Sequence, residues 1–334
     1  MSSRNPVYQS FLRVQPSYSV GYVREISGLN NSRRNNLPIS NLHRKSISQK
    51  AGYKLRSCFQ WLLAASSYKD VYCGKSKKWF GFKINFITLT LASAQVHSDQ
   101  FIKQRMLEPF LKAMQRKYNA STYIWKAEVQ DNGNLHFHIT LNTFVHWKWI
   151  RLKWNKLQSV YGYLNNSKLH NPIEETNGTD VHSVKSTKNI VAYMAKYFLK
   201  SDTRKKKLSM CFPLELTPIM KLNSNWEQDE IGYWWELKRP VTCKIWSSSY
   251  NLTNNNITLE SGTCEFETVY NGLIKDDAVT KIDKPKCSLF IYDSKVLNKF
   301  PPATKDKIRN TINAIKKDSY QPKQLTISDI NGLK

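Results

Sequence analysis

YIWKAEVQDNGNLHFHITL (Tyr123–Leu141) is the stretch that decides the fold. Its second half alternates strictly: Leu135, Phe137, Ile139 and Leu141 take one side of an extended chain, and His136, His138 and Thr140 take the other. Its first half alternates as well, with apolar Trp125, Ala127 and Val129 against polar Lys126 and Glu128. Between them stands Asp131-Asn132-Gly133-Asn134, which is turn chemistry, so the segment reads as a β-hairpin. A hairpin that buries one side must bring the two polar faces together. A two-residue Asn-Gly loop would set Val129 opposite His136 and mix the faces. A three-residue Asp-Asn-Gly loop, with Gly133 in the left-handed region, sets Glu128 opposite His136.

Two imidazoles side by side on a strand whose other face is buried are fixed in direction and can close on one metal ion. Glu128 is the expected third ligand, which makes a His136, His138 and Glu128 site with positions left for water and phosphate. Other chemistries built on H-x-H need residues that are missing here. The H-x-H-x-D-H metallo-hydrolases require an Asp and a His after Thr140, cupins require a Glu shortly after the pair, and two-histidine phosphoesterases require H-x-[ST] twice.

Outward from the hairpin, INFITLTLA (Ile84 to Ala92) alternates as a half-buried strand with Ile87, Leu89 and Leu91 on one side and Phe86, Thr88 and Thr90 on the other. Apolar spacing predicts helices over about Asp99 to Tyr118 and Trp147 to Val160, and a strand over Thr179 to Lys185. A further helix is expected from Ser186 to Lys200. Its spacing puts Asn189, Tyr193, Lys196, Tyr197 and Lys200 on one stripe and Ile190, Val191, Met194 and Phe198 on the core side. The order is β, α, β, β, α, β, α. A phenol of pKa about 10 is a weak nucleophile at neutral pH and needs a cation beside it, for which Lys196 is the in-helix candidate.

Three ordered motifs, FITLTL at Phe86–Leu91, E-x₇-H-F-H from Glu128 to His138, and Y-M-A-K-Y from Tyr193 to Tyr197, resemble the HUH endonucleases that initiate rolling-circle replication. Within that superfamily the chain looks most like the two-tyrosine replication initiators of single-stranded DNA phages and related plasmids. The resemblance spans residues 80 to 202. It implies an α+β fold, RRM-like, with a central antiparallel five-stranded sheet, the histidine strand in its middle and the tyrosine helix close by. It implies that Tyr193 attacks the origin strand to leave a 5′-phosphotyrosine and a free 3′ hydroxyl, with Tyr197 either a second nucleophile or a packing residue. Nitrogen donors favour Mn²⁺ or Zn²⁺, while Mg²⁺ commonly serves phosphoryl transfer, so Mg²⁺ or Mn²⁺ is the expected ion.

Composition points the same way. Fifty-one Lys and Arg against twenty-five Asp and Glu leave a net charge of +26, and seventeen Tyr, fourteen Phe and ten Trp accompany it. That pairing suits a single nucleic-acid strand, whose phosphates meet cations and whose bases stack on rings. The expected partners are single-stranded DNA at a replication origin and a host helicase and polymerase. The chain carries no Walker A motif, so no ATP site is expected. Six scattered cysteines without a C-x-x-C pair, no apolar run of membrane length and no secretory layout at the N-terminus lead to the expectation of an intracellular, cytoplasmic protein with no membrane partner.

The expected division is a basic N-terminal arm and helix over 1–75, partly disordered, then the HUH endonuclease segment over 80–202 and a less defined accessory region with DNA contacts over 203–334. No acidic residue occurs from Ile26 to Tyr68, and a helix is expected over Gln49 to Ala65. Two alternatives remain open: a tyrosine transposase or relaxase of the same superfamily, and a catalytically silent single-strand binder.

Overall fold

The computed structural model describes residues 7–26, 47–73, 77–165, 169–184, 204–207, 226–228, 234–253, 255–285 and 287–317. The expected helix from Ser186 to Lys200 lies outside these residues, and with it Tyr193, Lys196 and Tyr197. Ten of the strands build two five-stranded sheets. In chain order these strands are β1 (Tyr8–Val14), β2 (Tyr18–Glu25), β3 (Ile84–Thr90), β4 (Tyr123–Val129), β5 (Leu135–Leu141), β6 (Thr179–Val184), β7 (Trp246–Ser248), β8 (Ile257–Glu260), β9 (Thr280–Lys284) and β10 (Cys287–Ile291). The main helices are α1 (Gln49–Ala65), α2 (Asp99–Ile102) running through a π-helical turn (Lys103–Leu107) into α3 (Glu108–Tyr118), α4 (Trp147–Val160), α5 (Cys264–Lys275) and α6 (Pro302–Lys317). Smaller pieces are a hairpin of Lys69–Cys73 with Lys78–Phe82 and a three-stranded sheet of Arg204–Lys207, Trp226–Gln228 and Trp234–Leu237.

The chain divides into two compact units, and neither is one continuous segment. One holds residues 1–40, 55–66 and 250–318, and the other residues 41–54, 67–249 and 319–334. This grouping differs from a division into three consecutive segments. Tyr8–Glu25, read from the sequence as part of a basic arm, forms two strands whose partners come from the far end of the chain.

In the larger unit the strand order is β7-β4-β5-β3-β6, antiparallel throughout, so the histidine strand β5 is central as expected. The expected hairpin register is also present. Gln130 N–H donates to the Asn134 carbonyl at 2.9 Å, which closes a loop of Asp131, Asn132 and Gly133. Gly133 has φ +85°, the left-handed backbone that favours glycine there. Glu128 therefore stands opposite His136, and Lys126 opposite His138.

The inward face sets this register energetically. Leu135, Phe137, Ile139 and Leu141 are all fully buried, packed with Ile87 and Leu89 of β3, Phe110 and Met114 of α3, and Ile150 and Trp154 of α4. Each such side chain is worth about 1.5–3 kcal/mol when taken from water. A one-residue slip would exchange all four for His136, His138 and Thr140. α4 is tied to the end of β3 by Trp154 Nε1–H donating to the Thr90 carbonyl at 2.8 Å and by Gln158 Oε1 accepting from Ala92 N–H at 2.7 Å.

The fifth strand, β7, comes from beyond the segment the sequence pattern marked. A buried carboxylate fastens its approach. Asp99 accepts hydrogen bonds from Arg239 Nη1 at 3.0 Å, Thr242 N at 2.8 Å and Gln95 Nε2 at 2.8 Å. Burial opposes ionisation of Asp99, but these donors win and hold its carboxyl below the usual carboxylate range.

Candidate functional site

The outward face of the same sheet carries the candidate site. Its residues fall into cross-strand rows fixed by the register. One row runs Glu128, His136, Thr90, and the next Trp246, Lys126, His138, Thr88, Asp180. A third row, Ile124, Thr140, Phe86, is buried, so this face is closed at that end.

The two imidazole centroids are 4.4 Å apart with the rings at 70°. Each ring is held from the neighbouring strand by a hydroxyl. Thr90 Oγ1 is 3.0 Å from His136 Nδ1, and Thr88 Oγ1 is 3.4 Å from His138 Nδ1. Phe86 stacks on the His138 ring at 5.3 Å. With both Nδ1 atoms engaged, the Nε2 atoms are the ones left for an outside partner, the arrangement by which an outer hydroxyl orients a metal-binding histidine.

Glu128 Oε2 stands 3.4 Å from His138 Nε2 and 4.0 Å from Lys126 Nζ. Burial alone would raise its pKa, yet hydrogen bonding to His138 and the Lys126 charge keep its carboxyl below the ordinary range. His136 behaves in the opposite sense to an exposed histidine. Burial, joined by the neighbouring His138 and by Lys238, pushes it down to about 4, so it is neutral at physiological pH with a lone pair available. Lys238 is itself paired to Asp131 in the hairpin loop at 3.0 Å.

The donor set suits a divalent cation: two imidazole nitrogens and one carboxylate. The 3.4 Å between His138 Nε2 and Glu128 Oε2 is also the edge of a tetrahedron with metal–ligand bonds of about 2.1 Å. The three groups do not yet surround a common point. Among the described residues no cluster of three or more His, Cys, Asp and Glu side chains stands ready around a metal position. Glu128 is turned towards His138 and Lys126, and a side-chain rotation would be needed to include His136.

The structure thus brings together His136, His138 and Glu128. Tyr193, Lys196 and Tyr197 lie outside the described residues. Sequence reasoning missed the roles of Thr88 and Thr90, although their T-x-T alternation mirrors H-x-H and gave the signal. It also missed Lys238, for which no periodic signal exists. No helix among the described residues is long and apolar enough to cross a membrane.

Residues 84–202 match the family model for replication-associated proteins of the ORF2 class, which covers a little over a third of the chain. No curated protein and no solved structure matches the chain. The match supports a replication-associated protein. It begins at the first residue of β3 and contains four of the five strands of the histidine sheet, leaving β7 outside.

Proposed function

We propose that this protein is a replication initiator that nicks and rejoins single-stranded DNA at an origin through a 5′-phosphotyrosine intermediate. The observation that carries the reading is the pair His136 and His138, each held by a threonine of the adjacent strand and placed beside Glu128. The matched segment also contains Tyr193, Lys196 and Tyr197.

In this reading His136, His138 and Glu128 hold Mg²⁺ or Mn²⁺, which polarises a non-bridging oxygen of the scissile phosphate and offsets charge on the leaving oxygen. Neutral His136 is ready to bind without first losing a proton. Thr88 and Thr90 hold the ring directions, so little reorganisation remains when the phosphate arrives. Lys196 favours the phenolate of Tyr193. That oxygen attacks phosphorus, a Tyr193 O–P bond forms, the P–O3′ bond breaks, and the released 3′ oxygen takes up a proton to become a primer hydroxyl. Rejoining reverses the step, with Tyr197 as the candidate for a second cleavage. With no Walker A motif in the sequence, duplex opening falls to a host helicase and extension to a host polymerase.

The test is to incubate the full chain with 5′- and 3′-labelled single-stranded DNA from its own replicon and Mn²⁺, then search denatured protein for a covalent adduct by mass spectrometry. The expected adduct is on Tyr193 or Tyr197 and retains the label 3′ of the break. Binding without any adduct under Mg²⁺, Mn²⁺ or Zn²⁺ would leave the silent binder as the function.

A further inference from the structure

The smaller unit carries a second sheet, in the order β8-β1-β2-β10-β9, antiparallel throughout. One face is core: Leu12, Val14, Leu259 and Phe290 are buried there. α5 lies on this side, since a Cβ at Gly21 would meet Tyr270 at 3.7 Å and Phe290 at 3.6 Å. The opposite face has a composition that an ordinary solvent face lacks.

On it Phe11 and Tyr22 are direct cross-strand partners, stacked with centroids 5.6 Å apart and planes at 21°. The Arg13 guanidinium stands 5.7 Å from the Tyr22 centroid and extends the stack. The same register puts Val20 and Leu289 beside them, with Arg24 and Lys284 exposed on the rim. Among the described strand residues of this face, Glu260 on the edge strand is the one acid against three cations.

We propose that this open face is a single-stranded DNA platform, in which bases stack on Phe11 and Tyr22 and phosphates pair with Arg13, Arg24 and Lys284. Rings on an uncovered antiparallel sheet with cations around them are what a single strand requires, because every base has a π-face and every linkage a charge. A second copy of the chain fits less well, since a two-fold contact would set these cations against themselves. The unit lies outside residues 84–202, and the proposal stands whether or not the other sheet cuts DNA.

The test measures binding of the full chain to a fluorescent single-stranded deoxyoligonucleotide by anisotropy in EDTA, over a salt series. Phe11→Ala and Tyr22→Ala are each expected to weaken binding roughly 5- to 100-fold with little change in salt slope. The triple variant Arg13→Gln, Arg24→Gln, Lys284→Gln should lower the slope of log affinity against log salt by about 2. If a ring variant loses its circular dichroism spectrum, the triple variant, exposed at all three positions, decides alone. Affinity within twofold of wild type and an unchanged slope in that triple variant overturn the proposal. So does tighter binding to RNA of the same sequence, or a dimer of the wild-type chain that the triple variant abolishes while DNA affinity persists. Nicking enters none of these readouts, so failure of the phosphotyrosine reading is recorded separately.

Discussion

Two sheets of the same size and pairing stand in this protein, and they differ in what their outward positions carry. In the histidine sheet those positions hold Glu128, His136, His138 and Lys126, groups that exchange protons or bind ions. In the other they hold Phe11, Tyr22 and Arg13, groups that stack and pair but titrate outside the physiological range. The inward faces are alike, apolar and closed by helices. Architecture therefore accounts for stability in both, and the difference in chemistry resides in alternate residues of a few strands. A face meant to position reactive groups is itself partly closed, with Phe86, Ile124 and Thr140 buried at one end. A face meant to receive a strand stays open.

The largest expected effect breaks the contrast between inward and outward positions. Ile139→Asp puts a charge into the fully buried core of the histidine sheet and should cost more than about 4 kcal/mol in urea unfolding. Val20→Asp, outward in the second sheet, should stay within about 1 kcal/mol. A large loss at Val20 would mean that the second face is covered and not open.

Next in size is the fastening of β7, which has no counterpart in the second sheet. Asp99→Asn removes a buried carboxylate with three donors and should cost about 2–3 kcal/mol. Its folded pKa is depressed, so the stabilisation is fully present above the unfolded value near 4 and is lost as pH falls through the lower folded value. The gap between wild type and Asp99→Asn in urea melts should therefore shrink below about pH 4. A gap that widens there would contradict the assignment.

The smallest effect sharpens the reading of the titratable face. Thr90→Val keeps the shape of the side chain and removes the hydroxyl 3.0 Å from His136 Nδ1. Mn²⁺ affinity by calorimetry should fall about tenfold with the unfolding midpoint nearly unchanged. Equal affinity would remove Thr90 from the site.

Legibility in the sequence tracked how local the partners are. α1 and α4 coincide with the helices expected at Gln49 to Ala65 and Trp147 to Val160, and the three-residue loop with its Glu128–His136 register is the one the alternation required. These depend on neighbours a few residues away. β7, three residues long, is too short to show a period, and only Asp99 and Arg239, far apart in the chain, explain its course. β1 and β2 lay inside a basic segment with little apolar run, and their sheet is completed by β8 and β10 from the other end of the chain. Long-range pairing of that kind leaves no local trace. For the site, the residue types and spacing were readable, whereas the hydroxyl support of Thr88 and Thr90 needed the register of β3 on β5.

The most direct measurement is covalent adduct yield at DNA concentrations that saturate each variant, comparing wild type, His136→Ala and His182→Ala with Mn²⁺. His182 is an exposed histidine on the neighbouring strand β6, paired to Asp180 at 2.6 Å, and serves as the control for loss of an imidazole. The account predicts an adduct in wild type and His182→Ala and at least a hundredfold less in His136→Ala, with binding retained, as expected for loss of a group acting on the transition state, roughly 3 kcal/mol or more. An undiminished adduct in His136→Ala would contradict it.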